Sequence, residues 1–176
     1  GRFSFGMIKE SLVISDTNIL LDLISINLLK EFFSLPCSFS TTDFVLNEII
    51  QPHQKKVIEK FVNAKNLEVV TFDFSELTQI SSMSASSKNN TSFTDCSVWY
   101  YAKQTGGRLL TGDNKLRKSA EADNVKVSGI LYIFDNLVEY EIIDEITASN
   151  LLEQLMQINI RLPKEECKQR FLRWRQ

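Results

Sequence analysis

Four carboxylates stand where the surrounding pattern gives them chemistry to do. Asp16 directly follows the apolar run Leu12-Val13-Ile14-Ser15, and Asp113 follows Arg108-Leu109-Leu110-Thr111. Short continuous apolar runs read as buried parallel strands, and ligands of an open α/β sheet bind beyond the carboxyl ends of its strands. Asp is also a preferred helix N-cap, so each of these two has a purely local alternative. Glu48 lies three residues after Val45 and four after Phe44 in an expected helix over 44–50, a spacing that sets it beside core-facing neighbours. Asp95 opens an expected helix over 93–105, with Val98, Trp99 and Ala102 following on one stripe. Ser92, three residues before Asp95, offers a capping box as its local alternative.

A buried carboxylate is costly unless it is paired or binds metal. No Lys or Arg pairs with Glu48 by spacing. Converging acids are oxygen ligands suited to Mg²⁺ or Mn²⁺. An ion held there can bind phosphate oxygens and activate a water for in-line attack. Thr17, Asn18 and Thr111 adjoin these acids and are expected to support the metal site.

Other chemistries lack their residues. His53 is the sole histidine, sits in the polar run Gln51 to Lys56 and reads as a solvated surface side chain. Ser-His-Asp or Cys-His catalysis would have to use it. Cys37, Cys96 and Cys167 are odd in number and lack zinc-ligand spacing, so they read as reduced thiols and imply a cytoplasmic setting. A phosphatase with Asp16 as nucleophile would need a second Asp two residues on, where Asn18 stands.

The elements that must position the acids alternate along the chain. Strands are expected at 12–15, 37–41, 67–72, 108–111 and 125–127. Helices are expected at 19–33, 44–50, 53–65, 74–80, 93–105, 114–122, 130–138, 147–158 and 163–174. Residues 81–92, rich in Ser and Asn, read as a flexible loop. Gly106-Gly107 stops helix 93–105, and Pro163, Glu165 and Glu166 suit a helix start. Alternating strands and helices imply a parallel sheet covered on both faces. At 176 residues, with 43% hydrophobic and 24% charged residues, the chain reads as one domain over 1–176. Its core is expected over 7–138, and 139–176 forms a C-terminal helical extension. No stretch approaches the ~20 apolar residues of a membrane span, and GRFSFG at the start lacks the apolar region of a signal peptide. Met7 is a candidate native start, which leaves residues 1–6 as an addition ahead of it.

With these motifs in order, the sequence resembles the PIN-domain family. The likeness rests on Val13-Ile14-Ser15-Asp16-Thr17-Asn18, Glu48, Thr94-Asp95-Cys96-Ser97 and Leu110-Thr111-Gly112-Asp113, followed by Leu116 to Ala120 and Val125 to Gly129. It implies an α/β fold, a Rossmann-like three-layer sandwich with a central parallel sheet of about five strands. It implies that Asp16, Glu48, Asp95 and Asp113 are catalytic metal ligands of an RNA-cleaving endonuclease. It further implies similarity to the toxin half of VapBC-type toxin–antitoxin pairs, hence an antitoxin partner and a homodimer.

The net charge of −2 points to no global polyanion surface, so RNA contacts must be local. Lys103, Arg108, Lys115, Arg117 and Lys118 form such a patch, and Lys115, Arg117 and Lys118 are expected to hold phosphates beside the metal, against the alternative of a solvated helix face. The basic run Arg161 to Arg175 reads instead as compensation of the helix dipole. Tyr100 and Tyr101 read as core packing rather than base stacking. The competing function is a partner- or RNA-binding module of the same fold without nuclease activity, using the apolar 19–33 region.

Overall fold

A computed structural model describes residues 11–176 of the protein; Met7, residues 1–6 and the first residues of the expected core lie outside the described residues. Five parallel strands form one sheet: β1 (Leu12–Ser15), β2 (Ser38–Thr42), β3 (Glu68–Val70), β4 (Arg108–Leu110) and β5 (Val127–Ser128). Their spatial order is β3-β2-β1-β4-β5. The chain winds outward from β1 to β3, then returns to the other side of β1 for β4 and β5. With right-handed crossovers, that reversal puts helices on both faces and leaves a switch point between β1 and β4. The expected α/β sandwich with a central five-stranded parallel sheet is the fold observed.

The central strands are apolar because both their faces are covered. Val13 and Ile14 of β1 and Leu109 and Leu110 of β4 are buried, with Ile14 paired to Leu109 across the seam. Gly107, entering β4, permits this close approach. A Cβ there would lie 2.5 Å from Ile14 Cδ1 and 3.1 Å from the Leu12 carbonyl oxygen. Gly106 ends the preceding helix in the left-handed conformation, φ +75°.

Ten helices are described: α1 (Thr17–Ser25), α2 (Leu29–Phe32), α3 (Asp43–Glu48), α4 (Pro52–Asn63), α5 (Phe74–Ser86), α6 (Phe93–Thr105), α7 (Asn114–Ala122), α8 (Ile130–Glu139), α9 (Glu145–Ile158) and α10 (Lys164–Trp174). Two expectations are corrected. The single helix over 19–33 is two, because Asn27 adopts φ +53° and the Leu28 N–H turns back to the Leu23 carbonyl. Asn tolerates that left-handed position, so the break has a sequence cause. The loop over 81–92 is helical as far as Ser86. Ile80 is buried and Met83 half-buried against Cys96 and Tyr100, which holds α5 on α6 despite its serines. Asp73 and Glu76 start α5 with a complete capping box.

Candidate active site

Asp16 ends β1 and caps α1, with extended backbone at φ −79°, ψ 177°. One carboxylate oxygen accepts the Ile19 N–H at 2.9 Å, and the other accepts the Thr111 hydroxyl. The Thr111 oxygen in turn accepts the Asp113 N–H at 3.1 Å. The Asp16 N–H donates to the Leu110 carbonyl across the β1–β4 seam. Asp16 and Asp113 are thus tied together at the switch point through Thr111. Asp113 caps α7, and both capping bonds, from the Lys115 and Leu116 N–H groups, fall on its Oδ1.

Asp95 sits in the first turn of α6, whose N-cap Ser92 accepts the Asp95 N–H at 3.1 Å. α6 runs antiparallel to β4, so its N-terminus lies at the carboxyl edge of the sheet. Glu48 differs from its expected place: it is exposed at the end of α3 rather than turned to the core. That helix is only six residues long, too short for its spacing to carry Glu48 under a neighbour. Its carboxylate accepts the Thr17 hydroxyl at 2.8 Å, which ties it to the residue after Asp16.

Electrostatics joins the same groups. Asp16 is 3% exposed, and burial, eased by the Thr111 and Ile19 hydrogen bonds and reinforced by the charges of Asp95 and Asp113, pushes its carboxyl up to about 7. Burial, then Asp113 and Glu48, push Asp95 up to about 6. Desolvation leads in both; like-charge repulsion comes next for Asp95, and after the two opposing hydrogen bonds for Asp16. No cation figures among the groups acting on either acid. Among the described residues, however, no three His, Cys, Asp or Glu side chains converge closely enough to hold an ion between them. The donor set fits a hard divalent ion in kind: oxygen ligands, excess negative charge and a carboxylate withdrawn from water.

Among the supporting residues, Thr17 and Thr111 bind the acids directly. Asn18 is exposed and makes no hydrogen bond to them among the described residues. Thr42 and Ser97, the latter within the motif around Asp95, also brace the edge. The Thr42 and Ser97 hydroxyls share a buried 2.8 Å bond linking β2 to α6, and Thr42 caps α3. Single hydroxyls in a strand and a helix carry no sequence signal of such a pairing.

The basic patch divides. Lys103 is committed to Asp123, and Arg108 donates to Ser128 while stacking over Tyr132. Lys115 and Lys118 are exposed on α7, and Arg117 is half-buried with its guanidinium near Gly129. Among the arginines of α10 and just after it, Arg170 and Arg173 pair with Asp135, and Arg175 with Glu153. Those ion pairs, more than the helix dipole, account for that run. His53 is exposed, Tyr100 is buried and Tyr101 is half-buried, as the sequence suggested.

Asp16 and Asp113 thus stand at the carboxyl edge of a parallel α/β sheet, the edge where ligands of such sheets bind. A family model described as "DUF3368: PIN domain" matches residues 12–176, and the chain belongs to the PIN-domain family. Nothing among curated proteins matches it. Among solved structures it is similar to PAE2754 from Pyrobaculum aerophilum, at 12% identity and a TM-score of 0.52, over 73% of this chain and 98% of that one. At that identity the likeness is one of fold. Weaker overlaps are with VapBC2 from Rickettsia felis bound to a promoter DNA fragment, at 14% identity, TM-score 0.49 and 67% and 98% coverage, and with FitAcB from Neisseria gonorrhoeae, at 16%, 0.42, and 65% and 95%. No described helix is long and apolar enough to cross a membrane.

Proposed function

We propose that the protein is a Mg²⁺- or Mn²⁺-dependent endoribonuclease that hydrolyses RNA phosphodiester bonds at the β1–β4 switch point. The observation that carries this reading is Asp16: a carboxyl buried where ligands bind, raised to about 7, with two further carboxylates acting on it and no cation. Asp16, Asp95, Asp113 and Glu48 would hold the ion. A bound divalent ion supplies positive charge for the phosphate and lowers the pKa of a water. The Thr111 and Thr17 hydroxyls orient the carboxylates of Asp16 and Glu48, and Asn18 extends the polar rim. Lys115, Arg117 and Lys118 of α7 would bind flanking phosphates.

The test is cleavage of mixed RNAs with Mn²⁺ and with EDTA. Cleavage is expected only with metal, and is expected to vanish in Asp16→Asn and in Asp95→Asn while circular dichroism stays native. Asp16→Asn can keep the fold, since an amide accepts from Ile19 with its oxygen and donates to Thr111 with its nitrogen. Turnover by both variants at the wild-type rate would end the assignment.

A second reading has an observation of its own: the acids do not converge into a ready cluster. It makes the chain a PIN-fold module that binds RNA or a protein partner without cutting. Tight complexes and no metal-dependent cleavage would favour it. An antitoxin partner, homodimerisation and a cytoplasmic location extend the resemblance to VapBC-type toxins, and co-purification and sedimentation would test the first two. The helices over 139–176 form, on this reading, an extension to the nuclease core within the same domain.

A further inference from the structure

The carboxyl edge of the sheet changes character from one end to the other. In the middle, at β1 and β4, stand the acids. At the β4–β5 end stands α7 with exposed Lys115 and Lys118. At the β2–β3 end the edge is aromatic. Phe44 follows β2 by two residues, and Phe72 and Phe74 follow β3 by two and four. Phe93 opens α6, two residues before Asp95. Phe44 and Phe72 stack nearly parallel, 17° apart at 6.4 Å, and Phe93 meets Phe44 edge-on at 4.9 Å. All three are half-buried, and Phe72 also meets Tyr100 edge-on at 5.8 Å; Phe74, two residues after Phe72 at the first position of α5, is 85% exposed.

Phe74 is the most exposed large apolar side chain among the described residues. A single exposed apolar residue is ordinary. This one stands two residues from Phe72, in an aromatic row whose other members lie on the helices bearing Glu48 and Asp95. β3 lies two strands from β1, or roughly 10 Å at 4.7–4.9 Å per strand. With a rise of ~3.4 Å or more per nucleotide, that is the reach of the one to three nucleotides next to a cut phosphate. Aromatic faces on a strand-tracking path stack bases without demanding a sequence, but only bases that are unpaired.

We propose that Phe74, beside the row of Phe44 and Phe72, forms a stacking platform for an unpaired base on the β3 side of the scissile phosphate, while α7 holds phosphates on the β4 side. A duplex is refused because its bases are not free to stack. This proposal rests on the ribonuclease reading for the place of the cut, but base stacking is measurable without cutting.

The probe is a labelled single-stranded RNA of mixed sequence that the protein binds, its paired duplex, and a set in which one nucleotide at a time is made abasic. Affinity is measured in EDTA by fluorescence anisotropy, and cleavage separately in Mn²⁺. Phe74→Ala is expected to weaken single-strand binding about fivefold or more, and Phe74→Trp to restore it. One abasic position should cost wild type a similar factor and cost Phe74→Ala little more. Because Phe74 is exposed, its truncation leaves no cavity. Wild-type affinity in Phe74→Ala, a flat abasic profile, or equal binding of the duplex would overturn the platform, as would a Phe74→Ala effect confined to binding a protein partner. Base-dependent binding without metal-dependent cleavage would overturn the ribonuclease reading and leave the platform standing. Cleavage with a flat abasic profile would do the reverse.

Discussion

Asp16 accepts hydrogen bonds on both oxygens, yet its carboxyl is still raised from 3.8 to about 7. Two hydrogen bonds therefore do not offset its removal from water and the nearby charges of Asp95 and Asp113. The consequence is a pH dependence with a definite sign. A carboxyl whose folded pKa lies above its unfolded one keeps a proton in the folded state, so its contribution to stability is fully present below about 4 and is lost as pH rises through about 7. Asp95, at about 6, acts in the same direction. The metal-free protein should accordingly melt lower at pH 8 than at pH 5 through these groups, and Asp16→Asn should flatten the difference. At pH 8 in EDTA the variant is expected to be more stable by on the order of 1 kcal/mol, roughly 2–4 °C in melting temperature. Millimolar Mn²⁺ should raise the wild-type melt by mass action and the variant's less. A helix cap alone would make Asn neutral at every pH, since Asn caps as well as Asp. Melts that show neither a pH nor a metal effect on this residue would remove it from the site.

At the scale of elements, Asp16 and Asp113 were legible because a strand, an acid and a helix start are adjacent in sequence. Their local role as caps and their place at the switch point both hold, since an N-cap after a parallel strand necessarily sits at the carboxyl edge. Glu48 and the end of α5 were not legible. The exposure of Glu48 depends on where a six-residue helix stops, and the helicity of Ser81 to Ser86 depends on Ile80 and Met83 meeting α6. Both are tertiary facts that overrule a local pattern. The basic patch shows the same limit: charge spacing found five cations, but the fold commits Lys103 to Asp123 and Arg108 to Ser128 and Tyr132. The cations of α7 remain, and they differ in kind. Arg117 is partly packed, so its truncation would mix stability with binding, whereas Lys115 and Lys118 are exposed. Lys115→Ala with Lys118→Ala should leave the melting temperature within about 1 °C of wild type, as exposed sites do. It should weaken single-stranded RNA binding and reduce the slope of log affinity against log salt by about 0.7 for each phosphate no longer neutralised. A titration of affinity from low to high salt reads this directly, and an unchanged slope would return α7 to a merely solvated helix face.

At the scale of the whole molecule, the last helices are bound into the rest. Leu152 and Leu155 of α9 and Cys167 and Trp174 of α10 are buried in the same core as β1 and β4, and the Trp174 ring lies 6.4 Å from Phe134. Asn159, after α9, donates to Asp22 of α1 at 3.0 Å, a carboxyl that burial raises above its usual range. The strongest polar tie is Arg170, whose guanidinium reaches both oxygens of Asp135 on α8 at 3.1 and 2.7 Å. Both side chains are largely withdrawn from water, 17% and 11% exposed, so this pair is not one of the surface kind that contributes almost nothing. Removing one member leaves the other's desolvation uncompensated. Arg170→Ala leaves Asp135 with Arg173 alone, at 3.4 Å and from an exposed side chain. A loss of about 1.5–3 kcal/mol is expected, the usual range for a hydrogen bond to a charged group. Asp135→Asn should lose less, because its oxygen can still accept from Arg170. If the extension is part of one cooperative unit, urea unfolding of Arg170→Ala should shift as a single transition with unchanged slope, and metal-dependent cleavage should persist below that transition. Two separated transitions, with the first confined to α9 and α10 by hydrogen exchange, would show instead that the core folds without them and that the helices after Glu139 are an independent attachment.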